Sequence, residues 1–390
     1  MSLLPVPEQD ALQLSQQLKQ IIAKSIEAEN GSISFSRFMQ LALYEPGLGY
    51  YSAGSAKFGI YGDFTTAPET SSLFGRCFSH QISQIFFHLD QIEKIEKTIL
   101  EFGAGSGRLA CDMLTELEKL DSLPDSYFIL EVSADLRQRQ QQLIQKEIPH
   151  LESRVSWLET LPSKKISGVI LANEVLDAMP VDRFLSMNNT LLEQRVAIQN
   201  NEFIFINENA SDLLIRNVAN LEIDLPDNYS SEINQTLPVW FKSLNDAIET
   251  GVIFCVDYGY SRHDYYHPDQ NNGTLICHYR HQAHDDPFVY IGLQDISASV
   301  DFTSVAEAAF AGGFEVAGYT TQAHFLINNN LISFLPTEEF DSTEYLKLSQ
   351  EVKMLTLPAE MGERFKVIGL TKQFDESLVS FETNNLLERL

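Results

Sequence analysis

Residues 98–112 read TILEFGAGSGRLACD, a short apolar run that breaks into three glycines and resumes with helix-forming residues. Ile99, Leu100 and Phe102 suit a buried strand, and Gly103, Gly105 and Gly107 let the chain turn tightly and approach a ligand that a Cβ would push away. A helix opening after Gly107 directs its free N–H groups back at whatever fills the turn. Such a unit holds either a phosphate or the polar end of a nucleotide-like cofactor, and glycine spacing separates the two. The dinucleotide fingerprint is G-x-G-x-x-G, whereas here the glycines run G-x-G-x-G with Glu101 ahead of them. A carboxylate at that strand end repels a pyrophosphate and suits a cationic amino-acid moiety.

Two further strands bring polar groups to the same edge. Residues 127–132, YFILEV, end an apolar run on Glu131, placed to accept hydrogen bonds from both hydroxyls of a ribose. Residues 168–180, GVILANEVLDAMP, begin as a central parallel strand and turn polar at Asn173, Glu174 and Asp177, where open α/β sheets bind ligands. The combined pattern, E-x-G-x-G-x-G followed by a downstream acid, resembles the first motifs of class I S-adenosylmethionine-dependent methyltransferases. An ordinary glycine-rich turn and a solvated strand-end glutamate are the plainer alternatives.

Longer stretches carry a more specific resemblance. ILEFGAGSGRLA (99–110), ILEVSADLRQRQ (129–140), ANEVLDAMPVDRF (172–184) and GTLICHYRHQAHDDPFVYIGLQDISASVDFTSVA (273–306) are similar to the MidA family, as are GYYSAG (49–54) and FGIYGDFTTAPETSSLFG (58–75). The mitochondrial members of that family are arginine methyltransferases needed for assembly of respiratory complex I. The resemblance implies a class I methyltransferase-like α/β fold, doubly wound, with S-adenosyl-L-methionine as cofactor and a protein acceptor such as a complex I subunit. It also implies a lid over the cofactor from the glycine-rich and aromatic residues 44–69, and hydrogen bonds from His281 near the active site.

Composition sets outer bounds. A chain of 390 residues with 44% hydrophobic content buries a sizeable core and exceeds a bare methyltransferase domain. No apolar run is long enough to span a bilayer, so no membrane insertion is expected. The N-terminus has neither the order of a secretory signal nor the Arg-rich character of a transit peptide, which predicts a cytoplasmic, bacterial setting. Cys77, Cys111, Cys255 and Cys277 are scattered without a C-x-x-C pair, so they read as reduced packing residues. A net charge of −27 makes nucleic acid a poor partner and suits a basic peptide or simple solubility.

Along the chain, the spacing predicts helices over 8–28 and 34–43 and a leading helix over 71–90, so that 1–97 forms an N-terminal block of helices and lid loop. Strand and helix then alternate through 98–184, the first half of the core, with further strands at 154–158 and 168–172. Residues 185–250 read as an inserted substrate-side subdomain, in which TLLEQRVAIQ and EFIFIN flank Asn200 and Asn201 as a hairpin. The second half, 251–390, resumes with the strand VIFCVD, an aromatic and histidine loop, a helix over 301–313, strands at 314–320 and 365–371, and helices over 328–335 and 343–355. The loop run His278, His281, His284, Asp285 and Asp286 raises a metal site, but it lacks a sulfur pair, and the reading is no metal.

Methyl transfer to nitrogen needs two reactants held in line with water excluded. A guanidinium is a poor nucleophile that carboxylates must grip and orient, so Glu174 and Asp177 are the candidate catalytic pair, with Asn173 orienting substrate or the cofactor's amino-acid end. Asp177 could instead cap a following helix. Glu101, Gly103, Gly105, Gly107, Glu131 and Asn173 form the candidate cofactor site. Asp63, Tyr258 and His281 are candidate substrate contacts, with Asp63 equally able to cap its turn. The competing functions are a methyltransferase with another protein or small-molecule acceptor, a nicotinamide-dependent oxidoreductase, and an assembly factor that binds cofactor without turnover. A homodimer is a candidate assembly.

Overall fold

The computed structural model describes residues 4–52, 66–92, 95–335 and 343–390. Two compact units alternate along the chain: one comprises 1–64, 177–237 and 260–301, the other 65–176, 238–259 and 302–390. The stretch read as an insertion, 185–250, falls largely in the first unit as part of 177–237, together with 1–64 and 260–301, so long-range strand pairing rather than chain order gathers each unit.

The unit containing the glycine turn is built on seven strands: β1 (Lys97–Phe102), β2 (Ser126–Leu130), β3 (Val155–Leu158), β4 (Ile166–Asn173), β5 (Ile248–Tyr260), β6 (Glu315–Thr321) and β7 (Phe365–Lys372). Their spatial order is β3-β2-β1-β4-β5-β7-β6. All neighbours from β3 to β5 are parallel, and β7 runs antiparallel between β5 and β6. The chain winds outward from β1 in one direction and from β4 in the other, so the order reverses between β1 and β4. Open α/β sheets bind ligands outside the carboxyl ends of their strands at such a reversal. Helices α1 (Ser72–Ile92), α2 (Arg108–Lys119) and α3 (Ala134–Glu147) belong to this unit. Phe78, fully buried in α1, packs edge-on against Phe254 of β5 at 5.8 Å and at a shallow tilt over Phe325 at 4.4 Å. The core fills with Ile99, Tyr127, Val169 and Phe254 from four central strands, as expected for a sheet covered on both faces.

The other unit holds the helices Gln9–Ala28 and Phe35–Tyr44 and a five-stranded antiparallel sheet centred on Thr190–Gln199. Leu18, Ile22 and Ile26 repeat at helical spacing and bury one face of the first helix against Phe35, Phe38 and Val196. Asn200 and Asn201, at φ +51° and +65°, make the two-residue turn into Glu202–Asn209, as the sequence predicts. A second such turn escaped the sequence reading: Asn188 and Asn189, at φ +51° and +59°, join Asp182–Met187 to the same central strand.

Three expectations are corrected. Residues 278–286, read as a loop, begin with a β-hairpin of Ile276–Tyr279 and Gln282–His284, because Arg280 and His281 both adopt positive φ and return the chain at once. The helix expected over 328–335 is a short 3-10 turn at Leu331–Phe334, preceded by an unforeseen helix Gln322–Asn328 that Thr321 caps. No helix follows β4: the chain turns at residues 174–180 and enters the strand Asp182–Met187, so Asp177 has no helix to cap.

Candidate active site

β1 and β4 are in register from Lys97 with Ser167 to Phe102 with Ala172, which leaves Gly103 and Asn173 as the next residues past the last pair. Gly103, Gly105 and Gly107 all take left-handed φ values, +58°, +54° and +88°. The turn is tied at Gly103, whose N–H donates to the Leu130 carbonyl at 3.1 Å, and at Gly107, whose N–H donates to Ala104 at 2.8 Å. Gly107 is the N-cap residue of α2. Ser106 donates its hydroxyl to the Glu69 carboxylate and accepts the Arg108 N–H at 3.2 Å, which fixes the entry of that helix.

Two acids are buried beside the turn. Glu101 is 2% exposed and accepts the Tyr127 hydroxyl at 2.6 Å. Burial pushes its carboxyl from 4.5 up to about 7, with the Tyr127 bond pulling back and the charge of Glu131 adding to the rise. Glu131, at the end of β2, accepts the Ser133 N–H at 2.9 Å on one oxygen and the Gln140 amide at 3.0 Å on the other. Burial raises its pKa, and the Ser133 and Gln140 hydrogen bonds and the Arg137 charge oppose the rise. Each carboxylate oxygen retains acceptor capacity beyond one bond, so the group can still receive two hydroxyls.

At the last residue of β4, Asn173 donates to Glu174 at 3.3 Å. Its Oδ1 is buried and has no hydrogen-bond partner among the described residues, a cost that a ligand donor would relieve. Glu174 sits at φ +52°, held there by donation of its N–H to the Val256 carbonyl at 2.8 Å. Asp257 of β5 braces the same turn: fully buried, it accepts the Leu176 N–H at 3.0 Å and the Tyr258 N–H at 2.9 Å.

The structure thus gathers Glu101, the three glycines, Glu131, Asn173 and Glu174 in one unit along the reversal of the sheet. Asp177 falls in the other unit, 7% exposed, where its carbonyl accepts the Ala298 N–H at 3.1 Å. Its charge and that of Asp295 add to the burial that keeps the Tyr44 and Tyr51 phenols protonated. Tyr258 is half-buried in β5 with its ring edge-on to Phe365 at 5.7 Å. His281 is exposed at its hairpin turn in the other unit, so Tyr258 and His281 do not share a unit. Asp63 lies outside the described residues, as does 53–65 of the segment read as a lid.

Tyr127, Gln140 and Asp257 were missed. Gln140 had a readable signal: it falls between Leu136 and Ile144 on the buried stripe of α3, where a polar side chain needs an internal partner. Asp257 ended an apolar strand in the same way that Glu131 does.

A sheet wound 3-2-1-4-5-7-6 with an antiparallel seventh strand, a G-x-G-x-G turn after β1 and an acid after β2 define a class I S-adenosylmethionine-dependent methyltransferase. A sequence model for S-adenosyl-L-methionine-dependent methyltransferases matches residues 77–320. The chain belongs to that family, the MidA methyltransferases. A crystal structure from Burkholderia thailandensis bound to S-adenosyl-homocysteine is 37% identical, with all of both chains covered and a TM-score of 0.94. A native structure from the same organism is 36% identical at a TM-score of 0.91, again over the whole of both chains. Among curated proteins, the Drosophila melanogaster "Protein arginine methyltransferase NDUFAF7 homolog, mitochondrial" is 27% identical over 90% of this chain and 84% of its own length. The Rattus norvegicus "Protein arginine methyltransferase NDUFAF7, mitochondrial" is 26% identical over 87% and 81%. S-adenosyl-L-methionine is the cofactor, and the left-handed glycine turn with the unsatisfied Asn173 oxygen fits it. No described helix is long and apolar enough to cross a membrane.

Proposed function

We propose that this methyltransferase modifies an arginine guanidinium of a protein, such as a subunit of respiratory complex I, in a bacterial cytoplasm. The observation that carries the reading is Glu174, a carboxylate set just beyond β4 beside the glycine turn by its bond to Val256 and by the Asp257 brace. The names of the curated relatives, protein arginine methyltransferases, support an arginine acceptor.

When bound, S-adenosyl-L-methionine supplies an electrophilic methyl on a sulfonium. The chain's own part is orientation and exclusion of water. Glu131 would accept the ribose hydroxyls, the glycine turn would admit the amino-acid end, and Glu101 would pair with its positive charge. Asn173 presents its buried Oδ1 to a donor, and Glu174 grips two guanidinium N–H groups so that the third nitrogen is free to react.

Incubation with radiolabelled donor and arginine-containing proteins tests this. Label should appear on arginine, and Glu174→Gln should keep S-adenosyl-homocysteine affinity in calorimetry while losing at least about a hundredfold in transfer. Lost affinity would assign Glu174 to the cofactor site; label on another residue or on a small molecule would replace the acceptor; binding without transfer to any acceptor would indicate an assembly factor.

A further inference from the structure

The Gln140 side chain makes three hydrogen bonds from a fully buried position. Its Nε2 donates to the Gly105 carbonyl at 3.0 Å and to Glu131 Oε2 at 3.0 Å, and its Oε1 accepts the Trp157 indole N–H at 2.8 Å. An indole N–H can only donate, so the amide oxygen must face Trp157 and both amide hydrogens must face the turn and the acid. The helix also packs flush on the turn: a Cβ at Gly107 would lie 3.3 Å from the Cα and Cγ of Gln140. One side chain therefore joins β3, the end of β2 and the turn after β1.

We propose that Gln140 is a positioning residue for the cofactor, holding the glycine turn and Glu131 in a single preset arrangement. The proposal rests on the reading of Glu131 and the turn as cofactor-binding groups. Two physical consequences follow from the three bonds. The Gly105 carbonyl is drawn toward α3, and because a trans peptide is planar the Ser106 N–H is turned the opposite way. Without that bond, the Gly105–Ser106 peptide regains the wider backbone range that glycine allows on its Gly105 side, and that range must be lost at the moment of binding. The Glu131 carboxylate likewise has one oxygen held by Gln140 and the other by Ser133, so its remaining acceptor positions point in one direction before any ribose arrives.

The test uses the whole protein, with Trp240→Phe as background so that Trp157 is the sole indole, and S-adenosyl-homocysteine as the calorimetric probe. Gln140→Leu should lose tenfold or more in affinity, on the order expected when a buried carboxylate loses its donor, and should shift the Trp157 emission. Gln140→Glu keeps the acceptor for Trp157 but can donate only while its new carboxyl is protonated. The charged group bonded to that position is Glu131, which in turn feels Arg137 of the same helix and, beyond it, Glu101. Its affinity relative to the unsubstituted protein should therefore fall as rising pH ionises that carboxyl. A purely structural role would depress affinity equally at every pH.

Unchanged affinity in Gln140→Leu, or a Gln140→Glu profile parallel to that of the unsubstituted protein, overturns the proposal. If Gln140→Leu does not fold, the Gln140→Glu profile decides alone. Glu131→Ala separates the two levels: wild-type affinity there removes the reading of Glu131 itself, whereas weakened binding there beside unchanged Gln140 variants removes only the positioning role.

Discussion

Glu101 holds its proton far more tightly than a surface glutamate, since burial, and to a lesser degree the charge of Glu131, disfavour its ionisation and outweigh the opposing Tyr127 hydrogen bond. Between 4.5 and about 7 the native chain therefore keeps a proton that the unfolded chain has released. Stability falls as pH climbs through that window, by about 3 kcal/mol at most, and is flat with respect to this group above it. Glu101→Gln should remove that slope in urea titrations at several pH values. A cationic amino group nearby acts the other way and favours the carboxylate, so S-adenosyl-homocysteine should bind more tightly as pH rises toward 7, with proton release visible as a buffer dependence of the calorimetric heat. Glu101→Gln should abolish the release; a release that persists would place the responsible group elsewhere. Glu131→Ala should weaken binding about thirtyfold, the equivalent of about 2 kcal/mol, because two ribose hydroxyls lose a shared charged acceptor.

At the scale of elements, the central strands close so tightly that side chains are excluded at one level. Gly168 of β4 lies in register with Thr98 of β1 and Gly251 of β5. A Cβ on Gly168 would stand 2.1 Å from the Thr98 carbonyl oxygen, and its φ of +140° is one that side-chain-bearing residues rarely adopt. Gly168→Ala should cost about 3 kcal/mol or more in chemical denaturation, since backbone must move to admit the methyl. Gly47→Ala, with φ +72° and nothing within 4 Å, should cost only about 1 kcal/mol. Equal costs would mean that conformational preference, not crowding, explains Gly168. Elements were legible where a local pattern is complete: the strand and glycine turn at 98–107 and the hairpin at Asn200 and Asn201. They were not where pairing is distant, as in Ser32–Ser34, a three-residue strand whose partner is Val196 and its neighbours.

Over the whole molecule, the chain alternates between two units in six segments, and the candidate cofactor residues fall in one of them. Saturation with S-adenosyl-homocysteine at a hundred times its dissociation constant should stabilise the protein by about 2.7 kcal/mol. In hydrogen exchange, added protection should concentrate at 101–108 and 131–140 and be weak at 190–209; the reverse pattern would place the cofactor in the other unit. The sequence alone determined what repeats or breaks locally: the apolar strands, the glycine turn, the acids that close β1 and β2, and the family. Only tertiary structure decided that Glu174 and Asp177, three residues apart, belong to different units, and that Gln140, Glu131 and Gly105 share one set of hydrogen bonds. Periodicity and turn chemistry act over a few residues and are written in order along the chain. Burial and hydrogen bonding between distant segments exist only once the strands have paired.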